Sequence, residues 1–216
     1  MTGDDPGRLT AVGPDGRRRC RWCLSAPDYL AYHDDEWGRP VADDTRLLEK
    51  LCLEGFQSGL SWLTILRKRE GFRRAFAGFD PARLAAFDDD DVARLLADPS
   101  IVRHRGKIEA AIANGRATAG LHREGRTLAE VVWSHEPARR GRKAPTRPGD
   151  VPSATPASVG LARDLRRLGF RFVGPTTAYA AMQSLGIVND HGRGCFVRAR
   201  CEEDRRALGP VVRGRR

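Results

Sequence analysis

Two short clusters at opposite ends of the chain constrain its fold more than anything between them. Near the N-terminus, Cys20 and His33 lie in Cys20-Arg21-Trp22-Cys23 and Tyr32-His33-Asp34-Asp35-Glu36-Trp37-Gly38. Near the C-terminus, His191 and Cys195 lie in Asn189-Asp190-His191-Gly192-Arg193-Gly194-Cys195. Two sulfurs and two imidazoles make the donor set of a closed tetrahedral zinc site. A ligand pair from each end staples the two ends together. Zinc held in this way, one per chain, is structural, and the chemistry then has to be sought between the clusters.

Other uses of these residues fail on spacing. A four-cysteine ribbon needs a second Cys-x-x-Cys, and the chain has one. A nucleobase deaminase needs His-x-Glu ahead of Pro-Cys-x-x-Cys, and here the order is reversed. A thiol-redox role for Cys20 and Cys23 lacks the βαβ pattern that accompanies such a pair. Isolated buried thiols and hydrogen-bonded histidines are the plainer alternative, and two pairs in matched contexts weigh against it.

A chain of 216 residues with 40% hydrophobic content can bury a real core. No apolar run is long enough to span a bilayer. Residues 1–19 have no apolar core of signal-peptide type, so a cytoplasmic location is expected. Five cysteines form no regular framework, which argues for thiols and metal rather than disulfides. The net charge of +10 favours a polyanionic partner, nucleic acid before an anionic membrane. That argument is discounted because arginines crowd residues 139–147 and 198–216, which read as loop and tail.

The periodicity predicts an all-α fold. Residues 1–19 read as a disordered extension, 20–195 as one domain, and 196–216 as a basic tail. Helical patterning starts at Asp43 or Asp44, with Leu47, Leu48, Leu51 and Cys52 on one face. The stretch from Glu54 to Gly59 interrupts it, and Ser61 can cap the next helix. Further helices are read from Pro81 to Phe87, from the acidic run Asp88–Asp91, from Arg105 to Leu121 and from Thr127 to Ser134. Residues 137–156, rich in Pro, Arg and Gly, read as an exposed segment. Ser158 is read as the cap of a helix, Pro175 as the start of the last clear one, and Phe170–Val173 as extended.

Two constellations carry chemistry. Trp22, Tyr29, Tyr32, Trp37 and Trp62 are five of the seven Trp and Tyr residues. Glu54 sits in the apolar run Leu51-Cys52-Leu53-Glu54-Gly55, where a carboxylate is costly to bury unless something pairs with it. An aromatic cage with one acceptor carboxylate suits a flat ligand bearing an amine or a positive charge, as a purine does. The alternative is that the rings are core and Glu54 reaches solvent. Arg103-His104-Arg105-Gly106-Lys107-Ile108 joins two helices by a short basic turn. Backbone N–H groups there can bind phosphate without reading sequence. Alone, it reads first as an ordinary helical turn with a solvated basic face.

Together these elements resemble the 3-methyladenine DNA glycosylase I family, a zinc-containing branch of the helix-hairpin-helix DNA glycosylases. The match is carried by Cys20-Arg21-Trp22, the run Tyr29–Gly38, Leu51-Cys52-Leu53-Glu54-Gly55 and Gly59-Leu60-Ser61-Trp62. It continues through Arg103–Ile108, Gly169-Phe170-Arg171-Phe172-Val173-Gly174-Pro175-Thr176 and Val188-Asn189-Asp190-His191. It spans residues 20–195 in the family's order. The resemblance implies zinc on Cys20, His33, His191 and Cys195, with Cys23 a non-ligand neighbour. It implies that Glu54 hydrogen-bonds the edge of a flipped base, that Tyr32 and Trp62 stack on it, and that Trp22, Tyr29 and Trp37 shape the pocket. Arg103, Arg105, Gly106 and Lys107 would hold backbone phosphate, and Gly59 and Leu60 would enter the gap the base leaves.

The implied reaction is hydrolysis of the N-glycosidic bond of 3-methyladenine in double-stranded DNA by a monomeric enzyme, leaving an abasic site. No lysine is expected near the pocket, so strand cleavage through a Schiff base is not expected. A zinc-stapled module that binds a modified base without cutting is the non-enzymatic alternative, and excision of a different alkylpurine is the enzymatic one. The basic extensions depart from the family pattern.

Overall fold

The computed structural model describes Asp5, residues 7–139 and residues 142–208. Part of the arginine-rich segment, 140–141, and the chain ends expected as extension and basic tail, 1–4, 6 and 209–216, lie outside the described residues. Two strands, β1 (Thr10–Val12) and β2 (Arg18–Cys20), pair antiparallel with Thr10 opposite Cys20. This corrects the disordered reading over residues 10–19. Gly13-Pro14-Asp15-Gly16 makes the turn, with Gly16 at φ 78° and the Gly13 N–H donating to the Arg17 carbonyl at 2.8 Å. The open end of the hairpin is closed by Arg21 N–H to Leu9 O and docks through Leu9 N–H to Thr146 O, each 2.8 Å.

Among the described residues, everything after the hairpin is helix and connection, as the periodicity predicts. The helices in order are α1 (Pro27–Asp35), α2 (Asp44–Gln57), α3 (Trp62–Ala75), α4 (Pro81–Ala85) and α5 (Asp89–Ala97). They continue as α6 (Arg105–Arg123), α7 (Leu128–Trp133), α8 (Pro156–Arg167), α9 (Pro175–Ser184) and α10 (Arg198–Ala207). Their starts follow capping chemistry. Asp43 accepts from Arg46 N–H, Ser61 from Thr64 N–H, and Asp88 and Asp91 form a capping box.

Helix α2 is the central beam. It packs against α3, α6, α7 and α9, and Leu47, Leu48, Leu51, Leu53 and Phe56 are all nearly inaccessible. It does not break at Glu54, as the sequence reading has it, but runs to Gln57. Gly55 is there for close approach: a Cβ would sit 3.3 Å from the Phe172 carbonyl oxygen. The turn comes at Gly59, φ 78°.

Four further readings are corrected. Thr155, not Ser158, caps α8, and Ser158 is the third residue of a reciprocal capping box. Phe170–Val173 forms no strand, because Phe172 adopts φ 53°. The basic tail from 196 carries α10, anchored where the buried Arg205 guanidinium donates to the Ile187 carbonyl at 2.8 Å and pairs with Glu136 at 3.0 Å. Residues 137–156 are likewise not wholly exposed, since Pro145 is buried and Arg142 reaches inward to Asp190 at 2.6 Å. No helix among the described residues is long and apolar enough to cross a membrane.

Candidate active site and metal centre

The hairpin, α1 and the segment after α9 bring Cys20, His33, His191 and Cys195 together, all four buried. One ligand atom from each lies within 4.8 Å of every other. The His191 Nδ1 is 3.6 Å from Cys20 Sγ and 3.5 Å from Cys195 Sγ, and His33 Nε2 is 3.5 Å from Cys195 Sγ. Tetrahedral zinc, with bonds of about 2.3 Å to sulfur and about 2.1 Å to nitrogen, sets sulfur and nitrogen about 3.6 Å apart. The donor set and these spacings fit such an ion. Cys23, fully buried, stands outside the group.

The electrostatics of the four residues point the same way. The hydrogen bond from Cys20 and the two imidazoles hold the Cys195 thiol well down, while Cys195 and burial push Cys20 up. Lowering the Cys195 thiol favours the thiolate, the form that binds a metal ion. The second ring nitrogens are also committed. His33 Nδ1–H donates to Asp34 at 2.8 Å, and His191 Nε2–H donates to the Trp37 carbonyl at 3.0 Å. Asp34 is in turn held by buried Arg19, which also grips Asp15 at 2.6 and 2.8 Å. Such outer contacts fix each imidazole's tautomer and direction.

The same helix α1 sets one wall of a cavity of about 590 Å³, a size typical of small-ligand sites. Trp22, Tyr29, Tyr32, Trp37, Glu54 and Trp62 all line it. Trp22 is the hub, with its ring centroid 5.3 Å from both Tyr29 and Trp37. Tyr32 and Trp62 stand 5.5 Å apart on the α2–α3 side. Trp37 also packs edge-on against His191 at 4.6 Å, so the metal cluster and the cavity share a wall. Glu54 is almost completely buried. Burial pushes its carboxyl up, and Lys50 and Ser184 pull it partly back.

Lys50 overturns one expectation. Its Nζ lies 3.6 Å from Glu54, donates to the Tyr32 hydroxyl, and sits 3.8 Å from the Trp62 ring centroid. A lysine thus stands directly behind the cage, although it does not line the cavity. The sequence carried the signal: Lys50 and Glu54 are one helical turn apart on α2. Other wall residues were not singled out from sequence. Leu9, Pro148 and Val151 come from the hairpin and the arginine-rich segment. Asp190 faces the cavity with its carboxylate accepting from Tyr179 at 2.6 Å and Gln183 at 2.9 Å.

The α5–α6 connection, residues 98–104, presents Arg103 and Arg105 to solvent, and Arg105 pairs loosely with Glu109 at 3.5 Å. His104 caps α6. Lys107 departs from its assignment. It is buried, and its ammonium donates to the Phe56 and Ser58 carbonyls at 2.9 and 2.5 Å, capping α2 rather than facing phosphate. Gly59 and Leu60, beside that tie, are exposed, with Leu60 at 41%. Gly106 is half-buried. Phe172, 43% exposed and near His104, shares this face and was not anticipated.

Comparison with known proteins is consistent over nearly the whole described chain. The family model for methyladenine glycosylase matches residues 22–199. The chain is 46% identical to DNA-3-methyladenine glycosylase 1 of Escherichia coli over 177 residues, 82% of this chain and 95% of that protein. It is 41% identical to the DNA-3-methyladenine glycosylase of Haemophilus influenzae, covering 82% and 96%. A crystal structure of 3-methyladenine DNA glycosylase I superposes with TM-score 0.79 at 48% identity, covering 82% of this chain and 98% of that one. The Staphylococcus aureus enzyme, solved to show how it recognises 3-methyladenine, superposes with TM-score 0.76 at 32% identity, covering 81% and 93%.

Proposed function

The chain belongs to the methyladenine glycosylase family, and we propose that it excises 3-methyladenine from DNA by hydrolysing the N-glycosidic bond. The observation that carries the reading is Glu54, a buried carboxylate at the wall of an aromatic cavity. The lesion explains that combination. Methylation at N3 leaves the base positively charged, so its bond to the sugar is weak and little acid catalysis is needed. The protein's work is to take the nucleotide out of the stack, which damage makes easier, and to hold the base. Tyr32 and Trp62 offer their faces to the cation, and the Glu54 carboxylate accepts from the exocyclic amine. Trp22, Tyr29 and Trp37 exclude water and set the shape.

Docking on duplex DNA falls to the face carrying Arg103, Arg105, the backbone around Gly106, and Gly59 and Leu60. Its connection between α5 and α6 serves as the hairpin of a helix-hairpin-helix, holding phosphate without reading bases. Zinc on Cys20, His33, His191 and Cys195 would supply folding energy and fix Trp37, with no part in the bond cleavage. The protein acts as a monomer. Its product is an abasic site. An end-labelled methylated duplex treated with the protein should therefore stay intact until alkali is added and then break at adenines. Breakage without alkali, or none after it, would reject the reading.

A further inference from the structure

Lys50 is the buried charge that the proposed reaction does not use. Its surroundings are fully committed except at one point. Just past the end of α1, Glu36 is engaged by Arg69 of α3 at 2.6 Å, and on α2 itself Glu49 is engaged by Arg73 of α3 at 2.8 Å. From α9 only the Ser184 hydroxyl joins, and Asp190, across the cavity, is paired with Arg142. Tyr29, Tyr32 and the Cys20 thiol, which belongs to the Cys/His cluster, are the remaining titratable groups of the wall. Glu54 is therefore the acid near Lys50 that no arginine has taken, among the described residues. An isolated buried carboxyl gives up its charge rather than bear the desolvation.

We propose that Lys50 is a positioning residue that keeps Glu54 a carboxylate and fixes Tyr32 and Trp62 from behind, so that the cavity faces a cationic base with a negative charge. The inference rests on the excision reading for its purpose, but not for its test. The ammonium is screened from the cavity by the two rings, so it does not compete with the base for Glu54's open edge. Its bond to the Tyr32 hydroxyl and its contact with the Trp62 face, 3.8 Å from the centroid, hold the rings in place. The Trp62 indole N–H is buried without a partner, so the ring is oriented by its packing, this contact and the Tyr32 ring included. Being shut behind the cage, Lys50 has no path to a sugar carbon and forms no Schiff base.

The test is to titrate Glu54 directly by carbon NMR in protein labelled at glutamate carboxyls, its signal assigned by loss in Glu54→Gln. Parent protein should show Glu54 ionised at pH 7. In Lys50→Met, and in Lys50→Gln, which keeps a donor for Tyr32, the midpoint should rise by about one to three pH units. The acid limb of single-turnover base release should move up equally, and Lys50→Met added to Glu54→Gln should move nothing. A parent Glu54 protonated at pH 7 overturns the proposal even if neither variant folds. So does an unmoved midpoint in a folded variant. A parent and Lys50 variants that titrate as expected, with no base released by the parent, would instead reject the excision reading and leave Lys50's role established.

Discussion

Gly38→Ala offers a sharp probe of the metal cluster, because one methyl group strains the backbone and crowds a ligand together. Gly38 adopts φ 81°, in the region L-residues avoid, at a cost of about 1–2 kcal/mol. A Cβ there would lie 2.8 Å from Nε2 of His191, closer than real Cβ atoms come. His191 cannot swing away cheaply. Its Nδ1 faces both sulfurs at 3.5 and 3.6 Å, and its Nε2–H is held by the Trp37 carbonyl at 3.0 Å. Losing that outer hydrogen bond costs about tenfold to a hundredfold in metal affinity, or roughly 1.4–2.7 kcal/mol. The expected total is about 2.5–4.5 kcal/mol. Gly125→Ala is the control: φ is 70° and nothing lies within 4 Å of its Cβ, so only the backbone cost applies. The assay is urea unfolding of both variants with and without a zinc chelator, beside bound zinc measured by a colorimetric release. Gly38→Ala should bind zinc more weakly and lose most of its excess cost over Gly125→Ala once the chelator is present. Equal destabilisation of the two variants, with full zinc in both, would refute the reasoning.

Three other outcomes follow from the same geometry. Asp34→Asn should weaken zinc binding by about tenfold to a hundredfold, by loosening His33, while leaving the helical circular dichroism intact; competition with a chelator measures it. Glu54→Gln should slow single-turnover base release by about tenfold to a hundredfold, since one charge-assisted contact is worth roughly 1.5–3 kcal/mol, with zinc content unchanged. The third concerns stability and pH. Burial pulls the Lys50 ammonium down to about 8, against about 10.4 in the unfolded chain. Between those values the unfolded chain holds a proton that the folded chain has lost, so this group makes stability rise with pH across that window and adds no slope below it. Denaturation midpoints at pH 7.5 and 9.5 should therefore diverge less in Lys50→Met than in the parent.

The helical frame was legible because its signals are local. Asp43, Ser61 and Asp88 cap where their residue types and the apolar period say they should. The grouping of Cys20, His33, His191 and Cys195 and the five rings that line the cavity were legible because few other residues of their type compete. What escaped is non-local. The apolar beam at Glu54 looked broken by Gly55, whereas that glycine answers to Phe172, more than a hundred residues on. Lys107 looked like a phosphate ligand, since nothing near it in sequence reveals the open carbonyls of Phe56 and Ser58. The hairpin was hidden in polar, arginine-rich residues with no alternating apolar face. It is held by Arg19 bridging Asp15 and Asp34, by docking on Thr146, and by the place of Cys20 in the buried Cys/His group. The cavity walls from Leu9, Pro148 and Val151 depend on that docking and were illegible for the same reason.

The account stands or falls on the base the protein sets free. Purified protein should be incubated with N-methylated duplex DNA and the supernatant chromatographed for free bases, with spontaneous release subtracted. The account predicts release of 3-methyladenine, with 7-methylguanine left in the duplex. No base released by folded, zinc-loaded protein would contradict it.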